Sequence, residues 1–329
     1  MIHSLATFEH LEARSVEQAC TILAQYKEQA SVIAGGTDLL VRMKYRASEP
    51  KILVSLKGIP SLSRIEEKNR GDVVIGALTK LHEIEASSFI RDRYPILSQA
   101  ASKVANRLIR NMGTLGGNLC SDARCEYYTH SHLFGLEYWP RCFKRGGDYC
   151  HIMKKGDHCY ARYSGDTAPA LIALGAKVMI VSLRGEKSVP IENFFTGSGH
   201  RVNIMQPDEI MTEIQIPSWH SKWKGTYLKY SYRETTDYPV VGVAALADLE
   251  GDLCNGLKIV AVSVGSAPVR MRGVEDMVMG VHLSDSIIAE AGQIAAKAVN
   301  PVPHHGDSPT YIKKMVGVCT KRALLQLLH

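Results

Sequence analysis

Apolar residues recur at helical spacing near the start of the chain and then in short strand-like runs. A first helix is predicted where Ser15 can act as N-cap, with Gln18 three residues later and an apolar face that reaches Leu23. Three short strands are then predicted, each close to a glycine or a polar turn: SVIAGG, KILVSL and VVIGALT. Thr37-Asp38 and Thr79 are expected to cap the helices that follow two of these strands.

The pattern continues beyond residue 166 with further strands and helices. TAPALIALGA predicts a helix, KVMIVSL and SVPI predict a hairpin, and EIMTEIQIP predicts a strand that ends at Pro217. The last third contains three strand-like runs and then two amphipathic helices: GTYLKYSY, VVGVAALADL, LKIVAVSVGS, DSIIAEAGQIAAKAV and PTYIKKMVGVCTKRALLQLL. Meandering strands followed by helices predict an α+β fold.

Length and composition restrict the function classes. A chain of 329 residues with 45% hydrophobic and 22% charged residues is typical of a globular protein of two or three domains. The net charge of +6 is spread along the chain, which argues against a nucleic-acid partner. No apolar run reaches the ~18 residues that span a bilayer, and the N-terminus lacks the apolar core of a signal peptide. We therefore expect a cytoplasmic protein without a membrane partner.

Cysteines cluster in one segment of weak periodicity. The chain has 8 cysteines, and those at 120, 125, 142, 150 and 159 lie close together in sequence. Between Glu126 and His158 neither a helical nor a strand period is visible, and glycines and a proline interrupt the segment. Aromatic residues supply apolar surface there, for example Phe134, Tyr138 and Trp139. In a reducing compartment this clustering favours a metal site over disulfides, so we predict that a metal centre folds the segment.

Two glycine turns share a similar composition. Ile33–Leu39 reads IAGGTDL and Thr114–Asn118 reads TLGGN. Glycine lets a backbone approach a ligand closely, and exposed N–H groups can bind phosphate oxygens, so the two turns could hold a pyrophosphate from both sides. Neither turn has the Rossmann or the P-loop pattern. A single Gly-Gly turn is also a common tight connection.

The ordered strings VIAGGTDLLVRMK, RNMGTLGGNLC, SGDTAPALIALGAKV, EIMTEIQIP and YLKYSYRETTDYPVVGVA resemble the FAD-binding subunit of the xanthine dehydrogenase and carbon monoxide dehydrogenase family. The resemblance covers nearly the whole chain. It implies a vanillyl-alcohol-oxidase-like (PCMH-type) FAD-binding fold of two subdomains, residues 1–58 and 59–217. A C-terminal CO-dehydrogenase-flavoprotein-like α/β domain would follow at residues 222–329.

The same resemblance implies the FAD-binding residues. The two glycine turns would bind the pyrophosphate and its surroundings, Met211 the adenine end, and Lys229 would belong to a K-x-x-x-R motif completed by Arg233. Tyr238 would stack on or gate one flavin face. The full implied set is Val32, Ile33, Ala34, Gly35, Gly36, Thr37, Asp38, Leu39, Val104, Thr114, Leu115, Gly116, Gly117, Asn118, Asp166, Met211, Lys229 and Tyr238.

Several of these residues also have simpler interpretations. Asp166 could cap the helix that begins after it. Met211 alternates within a strand and could belong to the core. Lys229 and Arg233 would ordinarily be solvated strand charges.

The long separation of Asn118 from Asp166 resembles the β subunit of 4-hydroxybenzoyl-CoA reductase, whose insert binds an additional 4Fe-4S cluster. The insert here spans about residues 119–163, and the implied ligands are Cys125, Cys142, Cys150 and Cys159. Cys120 is the replacement ligand if this choice is wrong. A structural zinc is the alternative, although the C-x-x-C pairs common in such sites are missing.

Histidines and basic residues of the insert have open roles. His130, His132, His151 and His158 could replace a thiolate, but histidines beside cysteines more often make surrounding contacts. The basic residues could offset the charge of a cluster, could contact an acidic ferredoxin, or could lie on a solvated loop face: Lys144, Arg145, Lys154 and Lys155.

The resemblance implies an electron-transfer oxidoreductase subunit without catalytic residues of its own. FAD and the 4Fe-4S cluster would connect ferredoxin to a small subunit with 2Fe-2S clusters and a molybdopterin-binding large subunit. The reaction would be reductive dehydroxylation of 4-hydroxybenzoyl-CoA in anaerobic aromatic degradation. Two alternatives stay open: the FAD subunit of a xanthine- or CO-dehydrogenase-like hydroxylase, and a zinc-stapled interaction module.

Overall fold

The protein is described here from a computed structural model, which covers residues 4–68, 71–129, 141–218, 222–304 and 306–329. Within these residues the strands form three sheets, and helices pack against them. Short 3₁₀ turns lie at Lys27–Gln29, Pro60–Leu62, Phe143–Arg145 and Ile191–Asn193. The α+β fold class predicted from the sequence is confirmed, whereas the predicted domain boundaries stay predictions. No helix in the described ranges is both long and apolar enough to cross a membrane.

The first sheet is small and parallel. Its strands are β1 (Glu9–Glu12), β2 (Ala30–Ile33) and β3 (Ile52–Ser55), in the order β1-β3-β2, with helices α1 (Val16–Tyr26) and α2 (Leu39–Lys44) in the connections. The predicted N-cap of α1 is present, because the Ser15 hydroxyl accepts from the Gln18 N–H at 3.0 Å. Leu23 is fully buried on the face of α1 that packs against this sheet.

The second sheet is antiparallel and is completed late in the sequence. It contains β4 (Ile65–Glu67), β5 (Val73–Gly76), β6 (Lys177–Ser182), β7 (Gly185–Pro190) and β8 (Ile210–Ile216) in the order β4-β5-β8-β6-β7. The predicted hairpin of β6 and β7 is present, and β8 lies between β5 and β6. The segment between β5 and β6 therefore lies outside the sheet. It contains the second glycine turn and all four assigned cysteines.

In the described part of the segment between β5 and β6, seven short helices are present. They are α3 (Leu81–Ala86), α4 (Ser88–Arg93), α5 (Pro95–Ser102), α6 (Arg107–Arg110), α7 (Leu115–Leu119), α8 (Glu126–Thr129) and α9 (Thr167–Ala173). Every residue of α9 is buried, so this helix is part of the main core. The second glycine turn forms α7, at the entrance to the cysteine insert.

The C-terminal part contains the third sheet, which is antiparallel and is covered by two long helices. It contains β9 (Trp223–Tyr230), β10 (Val241–Glu250), β11 (Leu253–Val262), β12 (Val269–Arg270), α10 (Arg272–Val278), β13 (Val281–His282), α11 (Asp285–Lys297) and α12 (Pro309–Leu328). Helices α11 and α12 approach closely where glycines face each other, since a Cβ built on Gly317 would lie 2.6 Å from the Gly292 carbonyl oxygen. Helix α10 and the short strands β12 and β13 were not predicted.

Two helix caps differ from the prediction. The Asp38 side chain makes no capping bond to α2, because its carboxylate pairs with Arg42 of α2 and with the distant Arg124 instead. The Thr79 hydroxyl donates to the Arg64 carbonyl at 3.0 Å, and Lys80 is the N-cap of α3. Tertiary partners therefore replace the local capping bonds at both positions.

Candidate functional site

The first glycine turn connects β2 to α2 and presents backbone N–H groups. Gly36 has a φ of 73°, a conformation that glycine adopts readily. Within the described residues, the N–H groups of Gly35 to Leu39 donate no hydrogen bond to another part of the chain. A series of such N–H groups is able to bind an anionic group such as a pyrophosphate.

The first glycine turn lies directly against Met112 and Gly113, which immediately precede the second turn. A Cβ on Gly35 would come within 1.9 Å of the Met112 carbonyl oxygen, and a Cβ on Gly113 would lie 3.3 Å from Leu81 and 3.5 Å from the Thr37 hydroxyl. Glycine is therefore required for the close approach of the two backbones. The structure thus brings together two segments that are about eighty residues apart in the sequence.

The second turn differs from the first in its hydrogen bonding. The N–H groups of Leu115 and Gly116 donate to carbonyls of the β5–α3 connection, and the Gly117 N–H donates to the Thr114 hydroxyl at 3.1 Å. The space beside Gly116 is filled by Ala77, whose Cβ would be 2.8 Å from an added Cβ. The interior of this turn therefore provides close packing, and unengaged N–H groups are found on the first turn instead.

Asn118 connects the second turn to the beginning of α9. Its side-chain oxygen accepts from the Thr167 hydroxyl at 2.7 Å and from the Thr167 N–H at 3.2 Å. The Tyr163 hydroxyl donates to the backbone carbonyls of Asn118 and Leu119, at 3.2 Å each. Asn118 therefore binds the start of α9, the place where the sequence had suggested Asp166 as a simple cap.

Asp166 forms a buried charge network instead of a helix cap. Its carboxylate accepts from the Tyr227 hydroxyl at 2.7 Å and from the Lys229 ammonium at 3.2 Å, and it makes no capping bond to α9. The side chains of Asp166 and Lys229 are 4% and 6% exposed. Burial raises the pKa of the Asp166 carboxyl, and Lys229 and Tyr227 oppose this rise. The pair therefore depends on mutual neutralisation in a poorly solvated position.

Lys229 also holds the turn that carries Tyr238. Its ammonium donates to the carbonyls of Lys103 and Asp237, at 2.8 Å each. Arg233, the second residue of the K-x-x-x-R motif, donates from its guanidinium to the Thr236 carbonyl at 2.9 Å, close to the same turn. Tyr238 itself is 52% exposed. Both basic residues of the motif therefore organise a turn that presents an exposed aromatic ring.

Two other implied residues lie in the hydrophobic core. Val104 and Met211 are 8% and 5% exposed and belong to the main cluster of buried side chains. For Met211 this agrees with the core interpretation that the sequence left open.

The four assigned cysteines line one cavity. Cys125, Cys142, Cys150 and Cys159 surround it together with aromatic side chains that include Tyr127, Tyr128, Phe143 and Tyr149. Three of the four cysteines are buried, at 6% to 9% exposure. The cavity is small, about 10 Å³, which is roughly the space for one water molecule. A segment without helical or strand period thus places four cysteines, separated in sequence, around one cavity.

The alternative ligands are not equally placed. The Cys120 thiol lies 3.9 Å from the Met205 sulfur and is not among the residues around the cavity. His151 lies at the cavity, where its ring stacks 5.2 Å from the ring of Tyr127. His158 instead stacks on Tyr160 at 4.0 Å. His130 and His132 lie outside the described residues, as do Phe134, Tyr138 and Trp139.

Burial affects the thiols of the cavity directly. It raises the pKa of Cys125 to about 12, and it also raises the pKa of Cys159, although a backbone hydrogen bond and Lys144 oppose the rise at Cys159. These thiols therefore hold their protons at neutral pH unless a cation replaces them. Among the residues described, no group of three or more His, Cys, Asp or Glu side chains is arranged to hold a metal ion.

The insert is closed at its base by a short backbone ladder. Arg124, directly before Cys125, exchanges two backbone hydrogen bonds with Arg162, at 2.8 and 3.0 Å. The Arg124 guanidinium pairs with Asp38 of the first glycine turn and lies 5.5 Å from the ring centre of Tyr238. One residue therefore contacts the glycine turn, the exposed tyrosine and the base of the cysteine insert.

Comparison with known families decides the class of this site. The FAD binding domain in molybdopterin dehydrogenase matches residues 6–219, about two thirds of the chain. This chain belongs to that flavoprotein family. The CO dehydrogenase flavoprotein C-terminal domain matches residues 226–327 of the flavoprotein. FAD is therefore its cofactor, and the chain is an oxidoreductase subunit of the xanthine and CO dehydrogenase type.

Individual relatives align along almost the whole flavoprotein. It is 28% identical to the 6-hydroxypseudooxynicotine dehydrogenase complex subunit alpha of Paenarthrobacter nicotinovorans, over 98% of this chain and 95% of the relative. It is 27% identical to the carbon monoxide dehydrogenase medium chain of Hydrogenophaga pseudoflava, over 96% of each chain. A solved structure of the Hydrogenophaga pseudoflava enzyme, which lacks the Mo-pyranopterin moiety of its molybdenum cofactor, superimposes with a TM-score of 0.82 at 25% identity over 98% of each chain.

Several residues of the flavoprotein's site were not singled out from the sequence. Arg124 and Tyr227 are the main examples, because a loop arginine and a strand tyrosine carry no local signal of a distant partner. Arg124 reaches Asp38 across 86 positions and Tyr227 reaches Asp166 across 61. The position of Arg124 directly before a candidate ligand was the one available hint.

Proposed function

We propose that this flavoprotein is the electron-transfer subunit of a molybdenum hydroxylase-family complex and that it carries a 4Fe-4S cluster in addition to FAD. The observation that carries the proposal is the cavity lined by Cys125, Cys142, Cys150 and Cys159. Four thiolates are the usual ligand set of such a cluster. The aromatic side chains around them would limit the access of water, which is one way a protein tunes an iron-sulfur centre.

The residues proposed to hold FAD are those around the two glycine turns. The N–H groups of Gly35 to Leu39 would bind the pyrophosphate, and the network of Asp166 and Lys229 would fix the turn that presents Tyr238. FAD, when bound, exchanges one or two electrons, so it can connect one-electron donors to a two-electron reaction. The chain's own contribution is to bind and orient the cofactor and to restrict access to it through Tyr238.

The donor set of the cysteine cavity suits a 4Fe-4S cluster, because four cysteines line the cavity. A bound 4Fe-4S cluster would supply one-electron transfer. The cavity of about 10 Å³ is smaller than a cluster, so the thiols would have to move apart as they lose their protons and bind iron. The insert is joined to the first glycine turn through Arg124 and Asp38, which supports placing the two redox centres near each other.

We also propose a specific reaction for the assembled complex. By its resemblance to the β subunit of 4-hydroxybenzoyl-CoA reductase, the chain would connect ferredoxin to a 2Fe-2S small subunit and a molybdopterin-binding large subunit. That assembly would reductively dehydroxylate 4-hydroxybenzoyl-CoA in the cytoplasm. The length of the cysteine insert supports this proposal over that of an ordinary hydroxylase subunit.

A second candidate has support from the relatives. The two curated relatives named above are dehydrogenase subunits or chains, so the subunit could serve a hydroxylase in which electrons leave the molybdenum centre. Reduction assays on the assembled complex separate the two candidates. Electron uptake from reduced ferredoxin supports the reductase, whereas reduction of NAD by substrate without ferredoxin supports the dehydrogenase.

The primary test is the composition of the chain purified without oxygen. Iron, acid-labile sulfide, zinc and FAD are measured on the same sample. About four irons with equal sulfide and one FAD are expected. One zinc without iron would show that the insert holds a structural zinc and no cluster. A chain that takes up neither iron nor zinc after reconstitution would contradict the proposed metal centre.

The ligand assignment is tested by paired serine variants. Cys142→Ser is expected to lose iron and to keep FAD, because Cys142 lines the cavity while the glycine turns are unchanged. Cys120→Ser is the matched control, since its thiol lies beside Met205 instead. Full iron in Cys142→Ser, or loss of iron in Cys120→Ser alone, would show that the four-cysteine assignment is wrong.

A further inference from the structure

Lys144 is a buried cation beside the cysteine cavity. Its side chain is 4% exposed and lines the cavity. The ammonium pairs with Asp122, lies 3.4 Å from the Ala123 carbonyl oxygen and sits 4.8 Å from the ring centre of Tyr128. Lysine is rarely buried to this extent, and a buried charge needs compensation from its surroundings. The two lysines at 154 and 155, in the same insert, are exposed instead.

The Asp122 carboxylate is shared between Lys144 and a second cation. It also pairs with Arg42 at 3.3 Å, Arg42 lies 3.7 Å from Asp38, and Asp38 pairs with Arg124. Among the described residues of this network three cations share two carboxylates, so one positive charge is left over. The excess lies between the first glycine turn and the cysteine cavity. A negatively charged group in the cavity would provide the missing compensation.

We propose that Lys144 is a positioning residue whose ammonium stabilises the negative charge of a thiolate-ligated cluster in the cavity and raises its reduction potential. This inference rests on the proposed function. Reduction adds an electron to a centre that is already negative, so a nearby cation favours the reduced form, and net charge is one of the factors that set iron-sulfur potentials. The shielded position of Lys144 makes its effect larger than that of a solvated lysine.

The test compares Lys144→Gln with wild type and with Lys155→Gln, the exposed control. The potential of the cluster is measured on the full chain by anaerobic titration with electron paramagnetic resonance, which distinguishes the cluster from FAD. At a fixed potential the ratio of oxidised to reduced cluster is expected to rise about tenfold in Lys144→Gln, which for a one-electron couple is a shift of about 59 mV to lower potential. Lys144→Arg is expected to stay near the wild-type potential, because it keeps the charge.

A second variant, Asp122→Asn, is expected to shift the cluster potential in the opposite direction. Asp122→Asn removes a negative charge and leaves the ammonium in place, so the cluster potential is expected to rise. If Lys144→Gln assembles no cluster, Asp122→Asn decides the question, and an unchanged potential there overturns the inference.

A wrong role for Lys144 and a wrong cluster assignment would give different experimental results. Normal iron and FAD with an unshifted potential in Lys144→Gln would overturn the role of Lys144 and leave the cluster assignment intact. Equal shifts in Lys144→Gln and Lys155→Gln would also overturn it, because the effect would then be non-specific. A wild-type chain without iron would overturn the proposed cluster itself, and with it this inference.

Discussion

The buried pair of Asp166 and Lys229 gives the most direct stability prediction. Lys229→Met keeps the length of the side chain and removes its charge. It leaves the Asp166 carboxylate buried with the Tyr227 hydroxyl, and it leaves the carbonyls of Lys103 and Asp237 without their donor. Removing one member of a buried ion pair typically costs about 3–5 kcal/mol. Both partners here are at most 6% exposed, so we expect a loss in that range at neutral pH.

The pH dependence of this loss has a defined sign. The folded-state pKa of Asp166 is raised by burial, so the stability that this group contributes is greatest below its ordinary pKa and falls as the pH rises through the raised value. Loss of Lys229 removes an opposing influence and raises the pKa further. The penalty of Lys229→Met should therefore be largest at neutral pH and should diminish on acidification, as the carboxyl becomes protonated and needs no counter-ion.

The free energy of unfolding is measured by urea titration of the FAD-loaded chain at pH 7.5 and at pH 5.5. Lys224→Met is the matched control, because Lys224 lies on the same strand, β9, and is exposed. It is expected to change stability by less than about 0.5 kcal/mol. Asp166→Asn should cost less than Lys229→Met, since the ammonium would keep two carbonyl acceptors. A Lys229→Met penalty equal to that of the control, or one that grows on acidification, would refute the reasoning.

Two further predictions concern the glycine turn and the first helix. Gly35→Ala should lower bound FAD per chain, because its Cβ would lie 1.9 Å from the Met112 carbonyl oxygen and would separate the two turns; flavin absorbance measures this, and Gly265→Ala, which has open space, should keep FAD. Ser15→Ala should cost about 1 kcal/mol in the free energy of unfolding, because the Gln18 N–H loses its acceptor; an unchanged urea midpoint would contradict this cap.

Local signals in the sequence were sufficient for much of the fold. The N-cap at Ser15, the hairpin of β6 and β7 and the two C-terminal helices depend on neighbouring residues, and all are present. Periodicity was insufficient for short elements such as β12 and β13, whose two residues pair with β11 and carry no pattern of their own. The caps assigned to Asp38 and Thr79 were wrong because partners distant in sequence competed for their side chains.

In the candidate site, too, features that depend on residue type and order could be predicted, whereas features that depend on distant partners could not. Glycines, cysteines and Asp166 could be selected from motifs, since their chemistry depends on residue type and order. The sequence did not reveal that the second turn's N–H groups donate within the chain, because that depends on carbonyls near Ala77. It also did not separate Lys144 from the exposed lysines of the insert, because burial of a loop side chain is a property of the folded state.

The arrangement of charges bears on the choice between a redox centre and a structural staple. A staple needs only to hold its own loop, and its contacts could be confined to the insert. Here the residue before Cys125 pairs with the first glycine turn and lies against Tyr238, and Asp122 joins Lys144 at the cavity to Arg42 of α2. These links fix the cysteine cavity relative to the proposed flavin position. Transfer of electrons between two centres requires that their positions relative to each other are fixed. The metal content of the insert and the reduction potential of its metal centre are therefore the measurements on which the proposed function depends.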